Sequence, residues 1–126
     1  MNLNQVTVPC KDISRAIEFY KQLGLRLIVH THDYYARFEC PDGDNTFSLH
    51  QTESKTVGER VWVYFEVANV AEKVTELKEK GIVFETEAEA QPWLWDEARL
   101  KDPDGNQLIL FHAGENRKSP PWRLFK

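Results

Sequence analysis

VTVPCKDISRAIEFYKQLGL, residues 6–25, and VYFEVANVAEKVTELKEKGI, residues 63–82, are one pattern written twice. In the first, Ile13, Ala16, Ile17 and Tyr20 are spaced for one face of a helix. Asp12 stands where an N-cap belongs, and Gly24 supplies the stop. In the second, Val70, Val74 and Leu77 repeat the stripe between Asn69 and Gly81. An offset of 57 positions lays Val70 on Ile13, Val74 on Ile17, Leu77 on Tyr20 and Gly81 on Gly24. It also lays Trp62 on Gln5 and Tyr64 on Thr7. Self-similarity of this kind marks repeated copies of one supersecondary unit.

A second landmark follows each helix. CPDGDNTFSLH (40–50) answers DPDGNQLILFH (102–112), a Pro-Asp-Gly turn running into a strand, the first turn being one residue longer. Glycine suits such a turn because it tolerates positive φ. With that extra residue allowed for, Ser48 corresponds to Ile109 and His50 to Phe111. Between helix and turn, LRLIVHTHDYYARFEC (25–40) and IVFETEAEAQPWLWDEARLK (82–101) each leave room for two strands. The order is therefore β-α-β-β-β, twice. Neither copy alone buries both its helix and its sheet well, so the copies should associate, within the chain or exchanged across a dimer.

Composition narrows the partners. At 126 residues the chain is about one domain, long enough for a core without metal or disulfide staples. Sixteen basic residues are scattered among twenty acidic ones for a net charge of -4, which argues against nucleic acid and anionic membrane. No apolar run reaches membrane-spanning length, and MNLNQVTVPC lacks the make-up of a signal peptide. These features lead us to expect a soluble, cytoplasmic protein. Cys10 and Cys40 are expected as buried free thiols.

The tandem βαβββ pattern, the helices ending in glycine and the closing DPDGNQLIL strand resemble the vicinal oxygen chelate superfamily. That group includes glyoxalases, extradiol dioxygenases, fosfomycin-resistance enzymes and bleomycin-resistance proteins. The resemblance runs from Leu3 to about His112. It implies an α+β fold in which two modules, about 3–53 and 60–112, form curled, cup-shaped mixed sheets with the helices outside. A C-terminal tail, 113–126, follows. The resemblance also implies a homodimer, and metal ligands, where a member has them, on the first and last strands of each module. Those positions here are Gln5, Ser48, Trp62 and Ile109. Gln5 alone is an ordinary ligand, because an indole and an aliphatic side chain offer a divalent ion nothing. No cofactor is therefore expected. The alternative is a divalent metal held at a displaced site by Gln5, His50 and Glu66, which strand periodicity puts on the same face as the lost positions.

The rest of that face is aromatic. Trp62, Tyr64, Ile109 and Phe111 alternate inward, and Trp93 and Trp95 arrive from QPWLWDEARL (91–100). Beside them stand Gln5, Thr7, Ser48, His50 and Glu66. Apolar walls with a few polar anchors describe a small-molecule pocket. QPWLWDEARLKDPDGN (91–106) is similar to the matching segment of bleomycin-resistance proteins, with one extra residue between Trp93 and Asp102. The reading is a metal-independent protein that sequesters an aromatic or amphipathic compound, cationic ones included, with Glu66 and Asp96 available to pair with a charge. Solvated surface positions are the ordinary expectation for Asp96 and Glu97.

The competing class is a lyase, isomerase or dioxygenase of the same superfamily. The metal-dependent chemistry needs the displaced site. A metal-free activity needs a tuned acid or base, for which His50 is the inward candidate. His30, His32 and His112 are expected at the surface. Pro120 and Pro121 predict an extended tail able to lay Trp122 on the body or on a neighbouring subunit.

Overall fold

Ile13, Ala16, Ile17, Tyr20 and Leu23 are all buried on α1 (Ile13–Leu23) in the computed structural model, which describes residues 1–53 and 61–124. The Asp12 carboxylate accepts the Arg15 N–H at 3.2 Å and starts the helix. Gly24, at φ 115, ends it in the left-handed conformation, so that the Leu25 N–H returns to the Tyr20 carbonyl. The second copy uses the same devices. On α2 (Val70–Glu79), Asn69 caps the Glu72 N–H at 3.0 Å, and Val70, Val74 and Leu77 are buried. Gly81, at φ 90, closes that helix in the same way.

Two compact units result, each with its own sheet. In the first, β1 (Gln5–Cys10), β2 (Arg26–Thr31), β3 (Tyr35–Glu39) and β4 (Thr46–Gln51) lie in the order β1-β4-β3-β2. In the second, β5 (Trp62–Glu66), β6 (Glu89–Ala90), β7 (Asp96–Lys101) and β8 (Gln107–His112) lie in the order β5-β8-β7-β6. The first and last strands of each unit pair in parallel and the other pairs are antiparallel, which makes each unit a βαβββ module of an α+β fold. Register bears out the correspondence between the halves. Thr7 pairs with Ser48 as Tyr64 pairs with Ile109.

Alternate residues of each sheet make the core. In the first unit Val8, Ala36, Phe38, Phe47 and Leu49 are buried, and the Tyr20 ring meets Phe47 at 4.6 Å and Phe38 at 5.9 Å between centroids. In the second, Val63, Ala98, Leu100, Leu108 and Leu110 are buried, and Ala98 packs with Val70 and Val74. The space for two strands after α2 is used unequally, since β6 has only two residues. Its approach, ETEAEA, places a glutamate at every second position, a poor strand former that sets like charges on one side. Backbone N–H groups of Glu85 and Thr86 reach the Arg99 carbonyl instead of continuing a ladder.

The two units do not follow the order of the chain throughout. The closing turn Asp102–Asn106 belongs to the first unit, although both of its flanking strands belong to the second. The Asp102 carboxylate is its anchor. Buried to 5 % exposure, it accepts the Tyr20 hydroxyl at 2.6 Å, the Asn106 side-chain amide at 2.8 Å and the backbone N–H groups of Asp104 and Asn106, each at 2.9 Å. The Asn106 amide also donates to the Pro9 carbonyl at 3.0 Å, the Lys11 N–H to Asp104 at 2.7 Å, and Arg15 to the Pro103 carbonyl at 2.7 Å. Burial, then the Asp102 charge and hydrogen bond, push the Tyr20 phenol well above its ordinary value and keep it a donor.

Other expectations are adjusted. Both cysteines are free; Cys10 is buried, its thiol pushed up to about 12 by burial and then by the charges of Asp104, Asp102 and Asp12, whereas Cys40 is only half-buried. The tail turns instead of extending. Gly114–Arg117 form a single 3-10 turn, and the Arg123 N–H bonds to the Pro120 carbonyl across the prolines. Trp122 is exposed. Among the described residues no helix is long and apolar enough to cross a membrane, which does not bear on β-barrels.

Tyr20→Phe keeps the ring packing and removes one hydrogen bond to a buried carboxylate. The expected loss is about 2 kcal/mol in urea unfolding, with the denaturant slope unchanged. A loss below about 0.5 kcal/mol would show that the other three donors suffice to hold Asp102.

Candidate functional site

In the first unit, register places Gln5 and Thr7 beside Thr46 and Ser48, with Arg37 across from Ser48 and Tyr35 across from His50. Polar groups occupy this face. The Gln5 side-chain oxygen accepts the Thr46 hydroxyl at 2.8 Å. Ser48 is buried and shares a hydrogen bond of 2.9 Å with the Tyr35 hydroxyl, which also accepts the Arg37 Nε–H at 3.0 Å. Burial works to raise the Tyr35 phenol, but the Ser48 and Arg37 contacts outweigh it and leave the group lowered. His50 is exposed, edge-on to Tyr34, which itself stacks on His32.

The second unit presents rings at the corresponding places. Tyr64 pairs with Ile109 and Glu66 with Phe111 on the parallel side, while Glu97 and Arg99 face Phe111 and Ile109 on the antiparallel side. Trp95 stacks on Phe111, with 4.7 Å between centroids and 25° between planes. Tyr64 meets both edge-on, at 5.9 and 5.5 Å. Beneath them Ile109 is fully buried, packed with Phe111, Ala113 and Trp95. Trp62 is half exposed, with the Arg99 guanidinium 4.7 Å above its ring. Four of the residues singled out in the sequence, Tyr64, Trp95, Ile109 and Phe111, thus form one continuous wall, with Trp62 on the same side of β5.

Glu66 points to the same side but serves the backbone. Its Oε2 accepts the N–H groups of Ala113 and Gly114 at 2.8 and 3.0 Å, with His112 Nδ1 and Arg117 Nε each 3.9 Å from the carboxylate. It fastens the chain after β8. Burial tends to raise this carboxyl, yet the two amides, with the neighbouring His112 and Arg117 side chains, win and hold it below its ordinary value.

Glu97 corrects the expectation of a solvated carboxylate, for it is only 3 % exposed. Asp96 is exposed as expected. Trp93 donates its indole N–H to Glu97 Oε2 at 2.8 Å. Strand alternation counted from Trp95 places Glu97 and Arg99 on its side, so the signal was present, but their burial depends on β8 lying alongside. The Tyr64 phenol registers the same surroundings. Burial raises it, Glu97 raises it further, and Arg99 opposes both.

The residues at the positions where the resemblance places metal ligands do not fit a metal. Trp62 lies under a guanidinium, Ile109 is aliphatic and buried, and Ser48 is engaged by Tyr35. Among the described residues no group of three or more His, Cys, Asp or Glu is arranged around a common centre. A cavity of about 300 Å³ opens elsewhere, at the start of α2 beside β6, lined by Ala68, Ala71, Ala88, Ala90, Glu89 and Asp96. Without rings or an unpaired buried group, it is the weaker candidate.

A family model described as Glyoxalase/Bleomycin resistance protein/Dioxygenase superfamily matches residues 2–110. Solved structures show the same fold. A glyoxalase/bleomycin resistance protein/dioxygenase from Nocardioides is similar with a TM-score of 0.79 at 19% identity, covering 99% of this chain and 90% of that one. A bleomycin resistance determinant encoded on the transposon Tn5 gives 0.73 at 21% identity, covering 89% and 98%. Lactoylglutathione lyase from Agrobacterium tumefaciens gives 0.69 at 18% identity, covering 88% and 92%. No curated protein is a significant match to the sequence.

Because the Glu66 carboxyl is lowered in the folded state, its stabilising contribution is complete above the unfolded value and disappears as pH falls through the folded one. Glu66→Gln is expected to be less stable than the parent at neutral pH and to converge with it in acid, read by urea unfolding across pH. A gap that stays constant into acid would show that the charge contributes nothing.

Proposed function

The chain belongs to the Glyoxalase/Bleomycin resistance protein/Dioxygenase superfamily, and from that premise we propose a metal-independent binding protein that sequesters an aromatic or amphipathic compound. The observation that carries this reading is the wall formed by Trp95, Phe111 and Tyr64 over Ile109. The Tyr64 ring stays 40 % exposed and Trp62 beside it 50 % exposed. Large rings left open on a sheet, flanked by a carboxylate and a guanidinium, suit a flat guest that exchanges water for stacking. The role is resistance-like: the guest is held and not transformed.

The chemistry at the first and last strands supports the same reading. A buried aliphatic group and an indole under a cation replace donors that a Lewis-acid mechanism requires. The use of Glu66 by two backbone amides weighs against a displaced set of Gln5, His50 and Glu66. The two free thiols agree with a reducing, cytoplasmic setting. We place the protein there as a homodimer.

Titration of a broad panel of planar and amphipathic compounds, followed by tryptophan fluorescence, is expected to find saturable binding that survives exhaustive chelation. Trp95→Ala should weaken it about tenfold, equivalent to about 1.4 kcal/mol. Loss of binding on chelation, restored by a divalent ion, would overturn metal independence. A folded protein with no response across the panel would overturn the binding role.

A further inference from the structure

One atom on the aromatic face has no partner. Glu97 Oε1 is buried, and it is the buried side-chain oxygen or nitrogen without a hydrogen bond among the described residues. Its sister Oε2 takes the Trp93 indole N–H. A neutral donor on one oxygen leaves the charge of the carboxylate uncompensated, and a buried carboxylate ordinarily carries a cation or several donors. Asp102 and Glu66 in this same chain illustrate the ordinary solution, the first with four donors and the second with two amides and the nearby Arg117 guanidinium.

The protein's nearest cationic side chain on that strand does not fill the role. Arg99 lies two residues along β7 on the same side, with its guanidinium over Trp62, and makes no ion pair among the described residues. On the β8 side the groups around Glu97 are rings, Phe111 directly opposite in register, Trp95 stacked on it and Tyr64 edge-on to both, while on the β6 side its register partner is Glu89, a second carboxylate that adds no cation. Ring faces carry negative potential, so together with a carboxylate they form a site for a positive charge.

We infer that the guest of this face carries a protonated amine, and that Oε1 of Glu97 receives its N–H while the surrounding rings pack against its apolar part. The inference rests on the binding reading above and names the class of compound. Glu97 thereby takes the part that the sequence reading assigned to Glu66 and Asp96.

Trp93 is the side chain that admits the amine. It is 41 % exposed and sits on the turn before β7, where the Leu94 N–H bonds to the Gln91 carbonyl and the Gln91 N–H to the Trp95 carbonyl. That turn holds Leu94 at φ 69, a left-handed conformation uncommon for leucine, next to Trp93, whose indole N–H reaches the carboxylate. When the indole swings aside, the carboxylate becomes reachable from solvent.

The test compares three probes of one shape, naphthylmethylamine, naphthylmethanol and naphthoate, by calorimetry and by the indole N–H signals in NMR. The wild type is expected to bind the amine at least about tenfold more tightly than the alcohol and to bind the acid most weakly. Glu97→Gln keeps an oxygen for Trp93 and should bring the amine to the level of the alcohol while leaving the alcohol unchanged. Trp93→Phe leaves the carboxylate in place and should keep the preference for the amine, which covers the case in which Glu97→Gln does not fold. Saturable binding of the alcohol and amine with equal affinity, or an amine preference that survives in a folded Glu97→Gln, overturns the anchor and leaves the binding reading standing. No saturable binding of any of the three by the wild type overturns both.

Discussion

The Asp102 carboxylate and the Tyr20 hydroxyl form the contact on which the first unit's construction depends. A charged group buried to this degree is tolerable only with its lone pairs occupied, and four donors do so within one turn and one helix. The consequence is topological. A turn that joins two strands of the second sheet is fastened by hydrogen bonds to the first helix, and Asn106 extends the tie to the Pro9 carbonyl at the end of β1. The tie is also asymmetric. The equivalent turn of the first half carries Cys40 where the second carries Asp102, and its backbone closes from the Cys40 N–H to the Asn45 carbonyl.

Two modules with the same skeleton have diverged on the face away from their helices. In the first, side chains satisfy one another: Ser48 with Tyr35, Tyr35 with Arg37, Gln5 with Thr46. In the second, Trp62, Tyr64 and Phe111 stand at the places of Gln5, Thr7 and His50, and among the polar side chains beside them Glu97 keeps one oxygen without a partner among the described residues. A polar network that closes on itself has little left to offer a ligand. A ring wall with one carboxylate oxygen unpaired has a great deal, and that contrast directs the functional reading to the second unit.

Much of this was legible in the chain. Helix stripes, caps and glycine stops were readable at the level of single residues because each depends on neighbours three or four positions away. The correspondence of Ser48 with Ile109 was readable because two copies of the pattern calibrate each other. Trp62, Tyr64, Ile109 and Phe111 followed from strand alternation, and Trp95 from its place before the closing turn. Glu97 was misjudged as solvated for a simple reason. An acidic residue in WDEAR is ordinarily outside, and no local pattern says that Phe111 will lie opposite it in register.

The chain by itself therefore determined the module, its duplication and the identity of the residues on each strand face, since these are matters of period and of turn chemistry. Only the tertiary structure decided which carboxylates are spent and which, among the described residues, is left over: Asp102 on a helix of the other half, Glu66 on the backbone after β8, Glu97 on one indole. Hydrogen-bond satisfaction of a buried charge is set by partners up to 82 positions away, and their arrival depends on sheet register and packing, which no window of sequence contains.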